Sequence, residues 1–185
     1  MNKLLFVYSK IASCVVFGIS LVEILLLVTS IAHNEPNLSK VHPLLSWNTN
    51  PVFYLSISIW LGLFAFCGVK DSFLKIPSVL GVVFSIVPFI LWTMATTGGR
   101  IHLSFYQFIS ICDIGIGVVF IWLSQTFNKS LVKVLGYVNG IVFILVSIKS
   151  IFFPFWSISV WASLLPIIIT YILFSTFLFL FSKSR

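Results

Sequence analysis

Six long apolar stretches alternate with short polar segments along the chain. They cover approximately residues 11–31, 52–69, 76–96, 105–127, 134–153 and 157–181. Each is close to the roughly 20 residues with which an α-helix, rising about 1.5 Å per residue, crosses a hydrocarbon layer of about 30 Å. None alternates polar and apolar positions, as the strands of a membrane barrel do. The pattern therefore predicts an all-α, polytopic integral membrane protein, a bundle of six transmembrane helices.

Composition supports this class of protein. Of the 185 residues, 59% are hydrophobic and only 8% are charged, whereas soluble domains carry about 25% charged residues. The polar segments between the stretches are too short to form a second domain. We therefore expect residues 1–185 to be a single transmembrane helical domain whose main partner is the lipid bilayer.

Basic residues predict the orientation, because cytoplasmic segments of membrane proteins are enriched in Lys and Arg. With the N-terminus inside, the outer segments carry only Lys40 and Arg100. The inner segments carry Lys3, Lys10, Lys70, Lys75, Lys129, Lys133, Lys183 and Arg185. Both termini are then inside, and we expect a bacterial cytoplasmic (inner) membrane. The net charge of +7 needs no nucleic-acid partner, since lysines facing anionic lipid account for it.

Aromatic residues cluster where the outer ends of the helices are predicted. These are Trp47, Phe53–Tyr54, Phe105–Tyr106 and Phe155–Trp156. Tryptophan and tyrosine are enriched at the membrane–water interface, where one end of the ring system is apolar and the other is hydrated. The sequence therefore predicts that these residues form an interfacial belt.

Three ionisable residues lie inside the apolar stretches, all in or near the predicted outer half. They are Glu23, Asp113 and Lys149, with Asp113 about 12 Å below the outer end of its helix. Ionisable groups at such depth usually mark functional sites, because lipid offers them no partner. We therefore predict an outward-facing polar cavity with ligand-binding residues on several helices. The predicted set is Glu23, Trp92, Arg100, His102, Tyr106, Asp113 and Lys149.

A structural alternative remains open for two of these charges. Asp113 and Lys149 lie on helices joined by a short loop, so an ion pair between them could hold the fourth and fifth helices together. Such a pair contributes little to stability, because the free-energy cost of removing both charges from water can exceed the attraction between them. The sequence does not decide between this pair and the cavity.

Other chemistry has weaker support. His33, Glu35, His42 and His102 could meet in the outer segments, but their spacing is not that of a metal-binding helix pair, and we assign no metal ligand. No serine-elbow, zinc-protease or nucleotide-binding motif is present, so we assign no catalytic residue and favour a protein that is not an enzyme. No cofactor can be assigned.

Three hypotheses for function follow. The first is binding or transport of a small solute or cation in the outward-facing cavity. In size and topology the plan resembles the substrate-binding subunits of energy-coupling-factor vitamin transporters, which implies six helices, both termini inside and a pocket covered by the first outer loop. The alternative is an accessory subunit or immunity-type interaction protein that binds partner membrane subunits. A membrane enzyme dependent on Asp113 or His102 comes third.

Overall fold

The computed structural model describes residues 3–32, 45–68, 72–96, 103–152 and 160–183, with side chains described for 3–29, 50–67, 73–95, 106–152 and 165–183. The described chain forms six α-helices. They are α1 (Lys3–Ala32), α2 (Leu45–Leu63), α3 (Ser72–Thr96), α4 (Leu103–Ser124), α5 (Ser130–Phe152) and α6 (Val160–Ser182), and a π-helical turn, Phe64–Gly68, follows α2 directly.

The predicted helical class is confirmed. All six helices are long and apolar enough to cross a membrane, and the described residues contain no strand. Six such helices are the architecture of an integral membrane protein. The largest difference from the predicted bounds is in α1, which begins at Lys3 rather than near residue 11. Lys10 interrupts the apolar run but not the helix, because its side chain is exposed.

Consecutive helices run in opposite directions, so the bundle has two distinct ends. At one of them, the start of α5 meets the end of α6, where Lys129 Nζ donates to the Lys183 carbonyl oxygen at 2.9 Å. The start of α1 is there too, with the rings of Phe6 and Phe181 stacked at 5.7 Å. We call this the lysine end, because it holds six of the seven described lysines: Lys3, Lys10, Lys75, Lys129, Lys133 and Lys183.

Helix α2 is the central helix of the bundle. More than half of its candidate span, 56%, is buried, the largest share among the six. Its polar side chains reach four different neighbours. Trp60 Nε1 donates to Ser9 Oγ of α1, Ser58 Oγ to Ser85 Oγ of α3, and the Tyr54 hydroxyl to Asp113 of α4, while Asn50 Oδ1 accepts from Tyr171 of α6.

Aromatic rings fill the interior between Asp113 and the lysine end. The Trp60 ring stacks on Phe64 and Phe120 at centroid distances of 5.3 and 5.7 Å, and the rings of Phe177 and Phe181 meet it edge-on. We call this set the aromatic plug. It consists of Trp60, Phe64, Phe120, Phe174, Phe177 and Phe181, all buried. Edge-on and offset-stacked aromatic packing of this kind is favourable beyond the area it buries.

Helices α4 and α5 cross at a pair of glycines. A β-carbon added at Gly117 would lie 2.6 Å from the Gly140 carbonyl oxygen, and one added at Gly140 would lie 2.6 Å from the Gly117 carbonyl oxygen. Small residues at a crossing allow two helix backbones to approach this closely. The crossing fixes α4 against α5 one helical turn from Asp113.

Candidate functional site

The Asp113 carboxylate is held by a tyrosine of the central helix. The Tyr54 hydroxyl donates to Asp113 Oδ1 at 2.8 Å and to Oδ2 at 2.9 Å, so a single proton is shared between both oxygens. Tyr54 is only 7% exposed, whereas Asp113 and the next two residues of α4 are partly exposed. The carboxylate therefore lies at the edge of the packed interior.

The sequence explains this placement on both helices. Asp113 precedes Gly117 by four residues, so both lie on one face of α4, the face that packs against α5. On α2, Tyr54 comes four residues after Asn50 and four before Ser58, which puts all three on one face. The prediction that Phe53 and Tyr54 form an interfacial belt was wrong. Both side chains are buried, with Phe53 only 2% exposed.

Lys149 lies on α5 but does not face Asp113. The face of α5 that packs on α4 carries Gly140 and, seven residues further along, the buried Ser147. Lys149 is two residues beyond Ser147, which turns its side chain roughly 160° away at about 100° per residue. Among the described residues, the hydrogen-bond partner of Asp113 is Tyr54. The structure therefore places a tyrosine hydroxyl where the ion-pair interpretation put Lys149.

Two other predicted site residues are in contact with each other. The rings of Trp92 on α3 and Tyr106 on α4 meet edge-on at a centroid distance of 5.8 Å. Tyr106 precedes Asp113 by seven residues, so it lies on the same face of α4 and about 10 Å closer to the end opposite the lysines. This aromatic pair lies between Asp113 and the end opposite the lysines.

The remaining predicted residues have different outcomes. Glu23 lies inside the bundle on α1 and is 2% exposed, as predicted for an ionisable residue that faces other helices. Arg100 and His102 lie outside the described residues. So do the four residues of the metal alternative, His33, Glu35, His42 and His102.

Sequence reasoning missed three residues of this region: Asn50, Tyr54 and Tyr171. The Tyr171 hydroxyl donates to Asn50 Oδ1, and the Tyr171 ring packs on that of Phe53 at 4.3 Å. The signal was present in the spacing of Asn50, Tyr54 and Ser58, a polar stripe with a period of four in an apolar stretch. It was overlooked because tyrosine near a helix end is also typical of an interfacial belt.

The fold and these contacts define a six-helix membrane-protein architecture with a carboxylate–phenol pair beside the central helix. Comparison of the chain with protein-family models, with curated proteins and with solved structures finds no match.

Proposed function

We propose that this protein binds a small solute or ion at the Asp113–Tyr54 pair, as a solute-binding or transport protein of the membrane. The observation that carries the proposal is the hydrogen bonding of the carboxylate. An ionised carboxylate has about four acceptor positions, and in the described part of the chain it receives one hydroxyl proton. Insertion scales assign about 2.5–3.5 kcal/mol to an acidic side chain at the centre of a membrane helix. An acidic side chain that carries such an insertion cost usually has a functional role, which supports ligand binding by Asp113.

The position of the pair supports access from one side. Asp113 lies beyond the aromatic plug, about 10 Å from Phe120 along α4, and Phe120 is completely buried. A solute could therefore reach the carboxylate from the end opposite the lysines without passing through the plug. Within the described part of the chain, the buried rings of the plug fill the interior between Asp113 and the lysine end.

Orientation is part of the proposal. The concentration of described lysines at one end favours placing that end in the cytoplasm, so that Asp113 opens toward the outside of a bacterial cytoplasmic membrane. Release on the cytoplasmic side would then require rearrangement of the plug or the help of a partner subunit. Binding without transport needs neither.

Native mass spectrometry of the gently extracted protein tests the proposal. We expect wild-type protein to retain a small molecule or ion that Asp113→Asn loses, while both elute identically on size-exclusion chromatography. Glu23→Gln reports whether the acid on α1 contributes to the same site.

The matched control is Tyr8→Phe, which removes a phenol hydroxyl that donates to the Ser56 carbonyl oxygen at 3.2 Å rather than to a carboxylate. It should retain the ligand. Retention of the same ligand by Asp113→Asn would refute the site. Co-purification of partner subunits with no ligand at all would favour the accessory-subunit alternative.

A further inference from the structure

With Asp113 ionised, the Asp113–Tyr54 pair can accept hydrogen bonds but has no proton left to donate. The phenol carries one O–H, and that proton is directed at the two carboxylate oxygens. An ionised carboxylate has no donor of its own. What remains are the lone pairs on Oδ1, Oδ2 and the phenol oxygen. A ligand of this pair must therefore bring the donors, which excludes a carboxylate or phosphate group as the part that binds here.

The charge of the surroundings points the same way. With Asp113 ionised, the pair carries one negative charge, and within the described part of the chain Lys149 faces away from it while the other lysines lie at the opposite end. A negative charge in a poorly screened interior attracts a cation much more strongly than it would in water. The group that binds should be positively charged.

The number of oxygen atoms at the Asp113–Tyr54 pair favours an organic cation over a metal ion as the ligand. The pair offers three side-chain oxygens, and α2 and α4 continue without a break past Tyr54 and Asp113, so their backbone carbonyls stay engaged within the helices. Hard metal ions such as Ca²⁺ require six or more oxygen ligands. Nowhere in the described chain do three His, Cys, Asp or Glu side chains form a metal-binding group. A primary ammonium needs no such shell of oxygens, because one or two of its three N–H donors can bond the carboxylate while the others stay hydrated.

We propose that the Asp113–Tyr54 pair binds the protonated amino group of a small organic solute. This inference rests on the proposed function and makes it specific. The ammonium donates to the carboxylate oxygens, while Tyr54 keeps its own proton on the carboxylate. The Trp92–Tyr106 pair, about 10 Å further along the same side of α4, stands where the organic part of the solute would extend.

Thermal unfolding of the detergent-purified full chain tests this with four probes at equal ionic strength and pH 7: butylamine hydrochloride, tetramethylammonium chloride, sodium chloride and sodium butyrate. Butylammonium should raise the unfolding midpoint most. Tetramethylammonium has the charge without N–H donors and should act weakly. Butyrate should give no more stabilisation than sodium chloride.

Three variants locate the effect. Because hydrogen bonds to charged groups contribute strongly, Asp113→Asn should weaken butylammonium binding by about tenfold to a hundredfold. Tyr54→Phe should weaken it less, because the carboxylate remains, and Tyr8→Phe should leave it unchanged. If Asp113→Asn fails to fold, Tyr54→Phe and the order of the four probes on wild-type protein still decide the question.

Several results would overturn the inference. An Asp113-dependent shift with sodium as large as that with butylammonium would make the site a metal-ion site. If tetramethylammonium raised the unfolding midpoint as much as butylammonium does, the site would not require N–H donors. Both results would be compatible with the proposed function. A neutral or anionic molecule retained by wild-type protein and lost from Asp113→Asn would also contradict an ammonium ligand but not the proposed function. No Asp113-dependent shift with any probe, and no retained molecule, would refute both.

Discussion

Replacing Gly117 by alanine should separate α4 from α5. The added β-carbon would lie 2.6 Å from the Gly140 carbonyl oxygen and 2.7 Å from Ile144 Cγ1, whereas ordinary van der Waals contact begins near 3.4 Å. The nearer obstacle is backbone and cannot rotate away. The two helices must therefore move apart by several tenths of an ångström, which also moves Asp113, one turn away on the same face of α4.

The expected size of the effect follows from two opposing terms. Overpacking a close interface costs about 1–3 kcal/mol, while alanine is favoured over glycine inside a helix by about 0.5–1 kcal/mol. Gly117→Ala should therefore be less stable than the wild-type protein by about 0–2.5 kcal/mol, and less stable by about 1–3 kcal/mol than a glycine-to-alanine variant without a clash. The control is Gly18→Ala on α1, where nothing lies within 4 Å of the added carbon. Only the favourable helix term applies there, so this variant should be neutral or slightly stabilised.

The assay is reversible unfolding in mixed micelles with increasing sodium dodecyl sulfate, followed by tryptophan fluorescence and far-ultraviolet circular dichroism. Gly140→Ala should behave like Gly117→Ala, because its β-carbon meets the Gly117 carbonyl oxygen at the same distance. If Gly117→Ala proves as stable as Gly18→Ala, the close α4–α5 crossing is not present in the folded protein. The retained ligand should also bind less tightly to Gly117→Ala, since the carboxylate has moved.

Four further outcomes are expected. Tyr54→Phe should destabilise the protein more than Tyr8→Phe, because hydrogen bonds to charged groups contribute about 1.5–3 kcal/mol and neutral ones about 0.5–1.5; the same unfolding assay measures both, and equal losses would contradict the pairing with Asp113. Trp60→Ala should cost about 3–5 kcal/mol by opening a cavity in the aromatic plug, and a loss under 1 kcal/mol would mean that the plug is loosely packed. A lipophilic maleimide should label the exposed Cys14 long before the buried Cys112 in folded protein, with equal rates only after unfolding. A green fluorescent protein fused to the C-terminus should fluoresce in cells, and a dark fusion protein of normal abundance would contradict the cytoplasmic placement of the lysine end.

The number and class of the helices could be predicted because they depend on properties that sequence carries directly. Apolar stretches of membrane-spanning length leave helices as the structure that satisfies the backbone. The contacts between helices were harder to foresee. A stripe such as Asn50, Tyr54 and Ser58 shows that one face of α2 avoids lipid, but not which neighbour each side chain meets. In the structure those neighbours lie on three different helices.

The candidate site shows the same division. The depth of Asp113 and the face it shares with Tyr106 follow from helical spacing, and both could be read in advance. Its partner could not. Lys149 lies on the next helix along the chain and has the opposite charge to Asp113. It comes two residues after Ser147, however, and at about 100° per residue its side chain points away from α4. Tyr54 is 59 residues distant from Asp113, and its pairing depends on how α2 inserts between the other helices.

The central place of α2 has a consequence for biogenesis. It is synthesised before α3, α4, α5 and α6 and has the lowest mean hydropathy of the six candidate spans, 1.6. The helices that receive Tyr54 and Asn50, α4 and α6, are synthesised later. Until α4 and α6 are inserted, the polar side chains of Tyr54 and Asn50 must form hydrogen bonds with water, with the insertion machinery or with another protein. Folding around α2 is therefore completed only after α6 has been synthesised, and a nascent chain halted before α6 would expose to quality-control proteases the surface of α2 that the complete bundle buries.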